Sequence, residues 1–385
     1  MKKTLFFIKN ELMKEIFFSA GEVSGDISAS ELIKELSKKG IKCTGIGGKF
    51  MEEAGMINIS GTDESTKSSV GFIESLKFIL PKLSLLKKVS NYLKQNRPDL
   101  VVLVDNQGFN IPLAKISKQL GLRVYYYFPP MVSVWGEKTK YKIAKYCDKI
   151  LCTFKDDYKI YKEVSQNAIY VGNPLVDRIK QNYSSKENYL KHFSSDTRKI
   201  LLLPGSREQE IRSLLPVLLD TVRYVNNIDK NFEFYLIISH ESYSNRIESE
   251  IKRKRLDKNV KIFLNQMDYA LYDIADAVVA SSGTITLELA LLKKPTVVIY
   301  KISKLTFEIA KRLIKIPFIS LPNIILKEKV FPELLQKDVN PKQIFKEIKN
   351  FLETDQSLLI EKLKKLEKLV EGGAASRVIN EILSP

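Results

Sequence analysis

Short apolar runs rich in Val, Ile, Leu, Phe and Tyr recur along this chain, separated by longer stretches with the apolar spacing of amphipathic helices. Alternation of that kind predicts strand, helix, strand, helix, and therefore parallel sheets, because parallel neighbours need a crossover between them. In the first half strands are predicted at 16–19, 42–46, 100–104, 123–128, 149–152 and 168–171. In the second half they are predicted at 200–203, 234–238, 260–263, 277–280 and 296–299. The stretch 177–196 is polar and lacks a period, which marks it as a linker. The expected architecture is α/β, with two Rossmann-like parallel-sheet domains at 13–178 and 197–364 and a C-terminal helix, about 365–385, packing back on the first. A chain of 385 residues, 44% hydrophobic, is long enough for two domains of about 150 to 200 residues each.

Two strand ends carry anion-binding turns. Ala280-Ser-Ser-Gly-Thr-Ile-Thr-Leu-Glu288 reads as a buried strand, a glycine turn at Ser282, Gly283 and Thr284, and a helix whose first turns hold Glu288. Donors at a helix N-terminus suit a diphosphate, and a carboxylate one turn further in suits the two hydroxyls of a ribose; as a structural alternative, Glu288 complements the helix dipole. Lys199-Ile-Leu-Leu-Leu-Pro-Gly-Ser-Arg207 repeats the strand and turn, with Gly205, Ser206 and a guanidinium able to pair with phosphate oxygens. In the first half, Ser19-Ala-Gly-Glu-Val-Ser-Gly-Asp26 places Gly21, Glu22, Ser24, Gly25 and Asp26 between a strand and a helix. Val104-Asp-Asn-Gln-Gly-Phe-Asn110 puts Asp105 at a second strand end, where it can take a proton from a bound hydroxyl or cap the next helix.

Charge narrows the partners. Lys+Arg number 62 against 45 Asp+Glu, a formal +17, which favours an anionic substrate or membrane surface. Nucleic acid is not expected, since the lysines are spread through helical segments without any recognition motif. Three cysteines, Cys43, Cys147 and Cys152, lack metal spacing and fit reduced thiols in the cytoplasm; two histidines, His192 and His240, argue against a Ser-His-Asp hydrolase. No metal site is expected. The N-terminus begins like an export signal, but Lys9, Glu11, Lys14 and Glu15 interrupt it, so residues 1–12 read as a dispensable extension or a start-site artefact. Residues 70–88 interleave apolar side chains with Lys77, Lys82, Lys87 and Lys88, as an interfacial segment does; a core helix broken at Pro81 is the alternative.

Taken in order, these segments resemble lipid-A-disaccharide synthases. The resemblance rests on the Ser19 to Asp26 motif, Gly45-Ile-Gly-Gly48, Val70-Gly-Phe-Ile-Glu74, Asp105 to Asn110, Leu203-Pro-Gly-Ser-Arg207 with Glu210, Ser282 to Glu288, and Ser320-Leu-Pro-Asn323. It implies a GT-B glycosyltransferase that works without cofactor or metal. Its substrates would be UDP-2,3-diacylglucosamine and 2,3-diacylglucosamine 1-phosphate, joined by inversion into a β-1,6 disaccharide with release of UDP. It further implies a peripheral protein at the inner face of the inner membrane. Asp105 becomes the general base, with Glu22 the alternative. Gly205, Ser206, Arg207, Glu210, Ser282, Gly283, Thr284, Glu288 and Asn323 fall to the nucleotide. Gly21, Ser24, Gly25, Asp26, Gly71, Phe72, Asn110 and Trp135 fall to the acceptor side.

Three departures from the family pattern lie in the first half. Gly108 replaces an acid, Ser133-Val-Trp-Gly136 keeps one Trp and loses an Arg, and Asn173 stands in a Gly-Asn-Pro where the family has Gly-His-Pro. An epimerase acting on UDP-N-acetylglucosamine, and a nucleotide-binding relative without transfer activity, are the alternatives. The epimerase would be expected to need more acidic and histidine groups than this chain supplies.

Overall fold

The computed structural model describes residues 13–60, 79–134, 136–264, 267–303, 307–308 and 317–384. Among them, thirteen strands form two wholly parallel sheets. The first takes β1 (Glu15–Ala20), β2 (Lys42–Ile46), β3 (Ile57–Asn58), β4 (Leu100–Val104), β5 (Val124–Tyr127), β6 (Lys149–Cys152) and β7 (Ala168–Tyr170), in the order 3-2-1-4-5-6-7. The second takes β8 (Arg198–Leu203), β9 (Phe232–Ile238), β10 (Val260–Leu264), β11 (Ala277–Ser281), β12 (Thr296–Tyr300) and β13 (Glu333–Leu335), in the order 10-9-8-11-12-13. Both orders reverse direction between the first and fourth strand of their sheet, the doubly wound pattern in which ligands bind outside the carboxyl ends of the strands.

Helices cover both faces, which is why strands such as Leu-Val-Val-Leu-Val in β4 are buried throughout rather than alternating. Helix Val23–Lys38 packs Leu32, Ile33 and Leu36 against one face of the first sheet. Helix Ile79–Asn96 packs Leu85, Val89 and Leu93 against the other, leaving Leu83 56% exposed. In the second sheet the long helix Glu208–Ile228 contributes Leu214, Leu215, Leu218 and Val222 to the core.

The polar stretch 177–196 contains more order than its composition predicts. Helix Pro174–Gln181 opens on Asn173, whose Oδ1 accepts from Leu175 N, and Tyr189 and Phe193 pack on the core of the second sheet. The chain end divides in two. Helix Ser357–Leu369 sends Leu363 and Leu366 against Leu287 and Ala290 of the second unit, and only helix Ala374–Leu383 returns, burying Val378 and Ile382 in the core of the first.

Candidate functional site

Registers set the site. Ala20 of β1 lies opposite Val104 of β4, and Leu203 of β8 opposite Ala280 of β11, so in each sheet two loops leave the carboxyl edge side by side. The four loops meet around one cavity of about 450 Å³, lined from the first sheet by Glu22, Ser24, Gly25, Asp105 and Pro129 to Met131, and from the second by Gly205 to Arg207, Glu210, Ser281 to Ile285 and Glu288. That volume falls within the usual range for small-molecule sites, about 300 to 1,000 Å³.

Asp105 stands where β4 ends, with φ +50, and Asn106 follows at φ +43; both occupy the left-handed region that side chains other than glycine rarely adopt. Three contacts hold this turn. Asp105 N donates to Tyr127 O at 3.2 Å, while Asp105 O accepts from Tyr126 Oη at 2.7 Å and from Asn110 Nδ2 at 2.9 Å. Burial, and then the negative charge of Glu22, push the Asp105 carboxyl up to about 6, against the opposing pull of the Asn106 N–H and of Arg207. A carboxylate so placed is ionised near neutrality yet binds a proton more readily than an exposed one.

Arg207 faces it from the other sheet. Its Nη1 donates to Glu210 Oε1 at 3.0 Å and its Nη2 to Glu22 Oε2 at 2.5 Å, the latter an ion pair between the two units. Burial works against the guanidinium charge, but Glu22 and Glu210 outweigh it and raise its proton affinity. Glu210 also accepts from Ser206 N at 3.0 Å and Arg207 N at 3.4 Å. This corrects one expectation: the backbone N–H groups of Ser206 and Arg207 serve the helix start, and the guanidinium is what this turn presents to the cavity. Gly205 is required here, because at φ +113 a Cβ would sit 2.3 Å from Glu210 Oε2.

At the other turn, Ser282 Oγ donates to Ile319 O at 2.8 Å, and Gly283 caps helix Thr284–Leu291. Glu288 lies one turn in. Burial raises its pKa, opposed by Arg178 and by a hydrogen bond from Tyr269. Arg178 is 2% exposed, donates to Glu31 Oε1 at 3.1 Å and Ser28 Oγ at 2.9 Å, and lines the cavity with Tyr269. Neither Arg178 nor Tyr269 was evident from sequence: Arg178 falls in the stretch read as linker, and Tyr269 belongs to no recognisable motif. The buried helix start Asn173-Pro-Leu-Val-Asp-Arg178, an N-cap with Pro after it, is the signal that could have drawn attention to the first.

Four expected residues lie outside the lining. The buried carboxylate of Asp26 accepts from Gly48 N, Phe50 N and Met51 N at 2.8, 3.1 and 3.1 Å; it caps helix Lys49–Glu53 and does not face the cleft. Asn110, fully buried, accepts from Ser19 Oγ at 2.6 Å and donates to Ser19 O and Val104 O, stitching β1 to β4 behind Asp105. Gly21 packs against Asn106, whose Nδ2 would lie 1.9 Å from a Cβ there. Asn323 accepts from Val330 N and Phe331 N at 2.8 and 2.9 Å and donates to Phe331 O and Glu333, and Glu333 in turn fixes Ile319 and Ser320. Its place is therefore beneath the loop that holds Ser282, one layer from the cavity.

Gly71, Phe72 and Trp135 lie outside the described residues, as do positions 70–78 of the 70–88 segment. Gly136 has φ +72, a backbone in which an Arg would be strained, and a side chain at the exposed Gly108 would enter open space. Asn173, fully buried, lines the cavity. Among the described residues no cluster of three or more His, Cys, Asp or Glu could hold a metal ion, and no helix is long and apolar enough to cross a membrane.

The sequence model of the family described as lipid-A-disaccharide synthetase matches residues 16–381. This chain belongs to that family. It is 34% identical over 376 residues to the lipid-A-disaccharide synthase of Coxiella burnetii (strain RSA 331 / Henzerling II), covering 96% of this chain and 98% of that protein. Against the synthase of Geobacter metallireducens identity is 32% over 378 residues, covering 96% and 97%. It is thus a glycosyltransferase of lipid A biosynthesis. Among solved structures, UDP-GlcNAc 2-epimerase from Neisseria meningitidis bound to UDP-GlcNAc superposes with a TM-score of 0.66 at 14% identity, covering 96% and 99% of the two chains. The glycotransferase of kitacinnamycin superposes at 0.65 and 13% identity, covering 97% and 99%. These likenesses show the fold, two Rossmann-like domains in the GT-B arrangement; family membership separates this chain from the epimerases that share it.

Proposed function

We propose that this enzyme transfers 2,3-diacylglucosamine from its UDP ester to 2,3-diacylglucosamine 1-phosphate, with inversion, giving a β-1,6 disaccharide and UDP. The observation that carries the reading is the convergence of Asp105 and Arg207, from opposite sheets, on one cavity that also holds the Ser282 to Glu288 turn. Residues 13–178 handle the acceptor and 197–364 the UDP-sugar. Arg207 and the Ser282–Thr284 turn bind the diphosphate, and Glu288 takes the ribose hydroxyls.

In the reaction, Asp105 accepts the proton of the acceptor 6-hydroxyl, whose oxygen attacks the anomeric carbon as the bond from that carbon to the β-phosphate oxygen breaks. The leaving diphosphate gathers charge, and the guanidinium and helix N-terminus stabilise it where a metal does in other enzymes. Both substrates carry acyl chains, and Leu83 with Lys82, Lys87 and Lys88 on helix Ile79–Asn96 supports reversible docking on the anionic inner face of the inner membrane. Incubating the protein with both lipid substrates tests the reading: disaccharide and UDP should appear in equal amounts. UDP without disaccharide would mean hydrolysis and sink it.

A further inference from the structure

Two carboxylates share the Arg207 fork, and they differ in kind. Glu210 lies three residues away on the same helix, so its contact at 3.0 Å moves with Arg207. Glu22 comes from the loop after β1, on the other unit, and meets Nη2 at 2.5 Å. Both partners of this second pair line the cavity and remain partly open to solvent, with 30% and 24% of their side chains exposed. Glu22 therefore holds the donor face that a diphosphate oxygen needs, and one N–H pair of a planar guanidinium cannot serve both anions in the same geometry.

The groups facing Asp105 complete the arrangement. Glu22 reaches it from the loop after β1, Arg207 from the loop after β8, and the Tyr126 hydroxyl bonds its carbonyl from β5. Arg207 in turn is shared with Glu210.

We propose that Glu22 is a displaceable counter-ion and a positioning residue: it holds Arg207 across the cleft until the donor diphosphate takes its place, and the released carboxylate then stands beside Asp105 as the hydroxyl proton is transferred. The inference rests on the reading of Arg207 as a diphosphate ligand. Before nucleotide binds, the guanidinium offsets the negative charge next to Asp105. After the exchange that offset belongs to the diphosphate, the Glu22 charge is no longer compensated, and Asp105 becomes the stronger base. Nucleotide binding and proton acceptance are in this way linked through one side chain.

The linkage predicts opposite effects on binding and turnover when Glu22 is neutralised, which a merely structural contact would not produce. In the full chain, Glu22→Gln should bind UDP about 5- to 30-fold tighter by calorimetry, since a competing partly exposed ion pair is removed. Its kcat should fall about tenfold, and the acid limb of kcat against pH should persist but move to lower pH. Glu22→Asp, with a shorter reach, should show intermediate affinity and keep the acid limb near its original place, which separates charge from folding. Wild-type protein that fails to bind UDP overturns the reading of Arg207 itself. UDP binding that is equal or weaker in Glu22→Gln, with wild-type binding intact, overturns the exchange alone, and loss of the acid limb overturns it by making Glu22 the base.

Discussion

Arg207 Nη2 and Glu22 Oε2 meet at 2.5 Å although 185 residues separate them in the chain, and theirs is an ion pair between the two sheets across the mouth of the cleft. Because the Ser206 and Arg207 backbone N–H groups are held by Glu210, the affinity of this turn for an anion resides in the guanidinium. Arg207→Ala should then weaken UDP binding about 10- to 100-fold, following the 1.5 to 3 kcal/mol or so of a charge-assisted hydrogen bond. Calorimetry with UDP alone measures this, and unchanged affinity would remove Arg207 from the site.

Asp105 gives a pH dependence of definite sign. Its carboxyl is raised from the usual 3.8 to about 6 by burial and by Glu22, so it is protonated below that value and ionised above. A base must be ionised, so kcat/KM, which reports the free enzyme, should rise through about pH 6 and level off toward neutrality. The same shift acts on stability in the other direction. The folded state binds this proton more tightly than the unfolded chain, so the stability present below the unfolded value is lost as pH climbs to about 6. Asp105→Asn should melt above the parent near neutrality, with the gap closing toward pH 4; a gap that widens on acidification contradicts this.

Asp26 belongs to folding. Its three backbone donors at Gly48, Phe50 and Met51 would be stranded in Asp26→Ala, at a cost of about 2 to 4 kcal/mol, and in Asp26→Asn the loss should be smaller because one acceptor oxygen remains. Denaturant unfolding measures both. UDP affinity of the folded fraction should stay as in the parent, and a variant that loses affinity while keeping its melt would return Asp26 to the cleft.

How much was legible follows from which forces are local. Strands such as β4 and β11 are continuous apolar runs bounded by turns, and their limits were readable to within a residue or two. β3 and β13, of two and three residues at sheet edges, carry no period and were missed. The turns at Gly205 to Arg207 and Ser282 to Thr284 announced themselves by composition, as did Asp105 by its strand-end position. Asp26 was misplaced because the donors it serves lie more than twenty residues downstream, in a short helix that only the fold brings near. That Asn323 stands behind the cavity lining was hidden for the same reason: its partners at Val330, Phe331 and Glu333 are set by tertiary packing. Arg178 shows the limit most clearly, since a polar, aperiodic segment gives no sign that one of its arginines will be buried against Glu31.

Membrane docking has a direct test in vesicle sedimentation. At low salt the protein should pellet with anionic vesicles and not with zwitterionic ones, because each Lys near the surface contributes about 1 kcal/mol and salt screens it. High salt should release part of the bound protein. Leu83→Ser should lower the remainder without moving the melt, as Leu83 is exposed while Leu85, Val89 and Leu93 form the core face of the same helix. A shifted melt would place Leu83 in the core instead.

The most direct measurement is disaccharide formation by Asp105→Asn from UDP-2,3-diacylglucosamine and 2,3-diacylglucosamine 1-phosphate, alongside its UDP affinity. The substitution keeps the shape of the side chain and removes the proton acceptor, so turnover should fall about 10²- to 10⁴-fold, the range for a lost general base, while UDP binds at least as tightly as in the parent. Normal turnover in Asp105→Asn would contradict the account, because the convergence of Asp105 with Arg207 would then have no part in the chemistry.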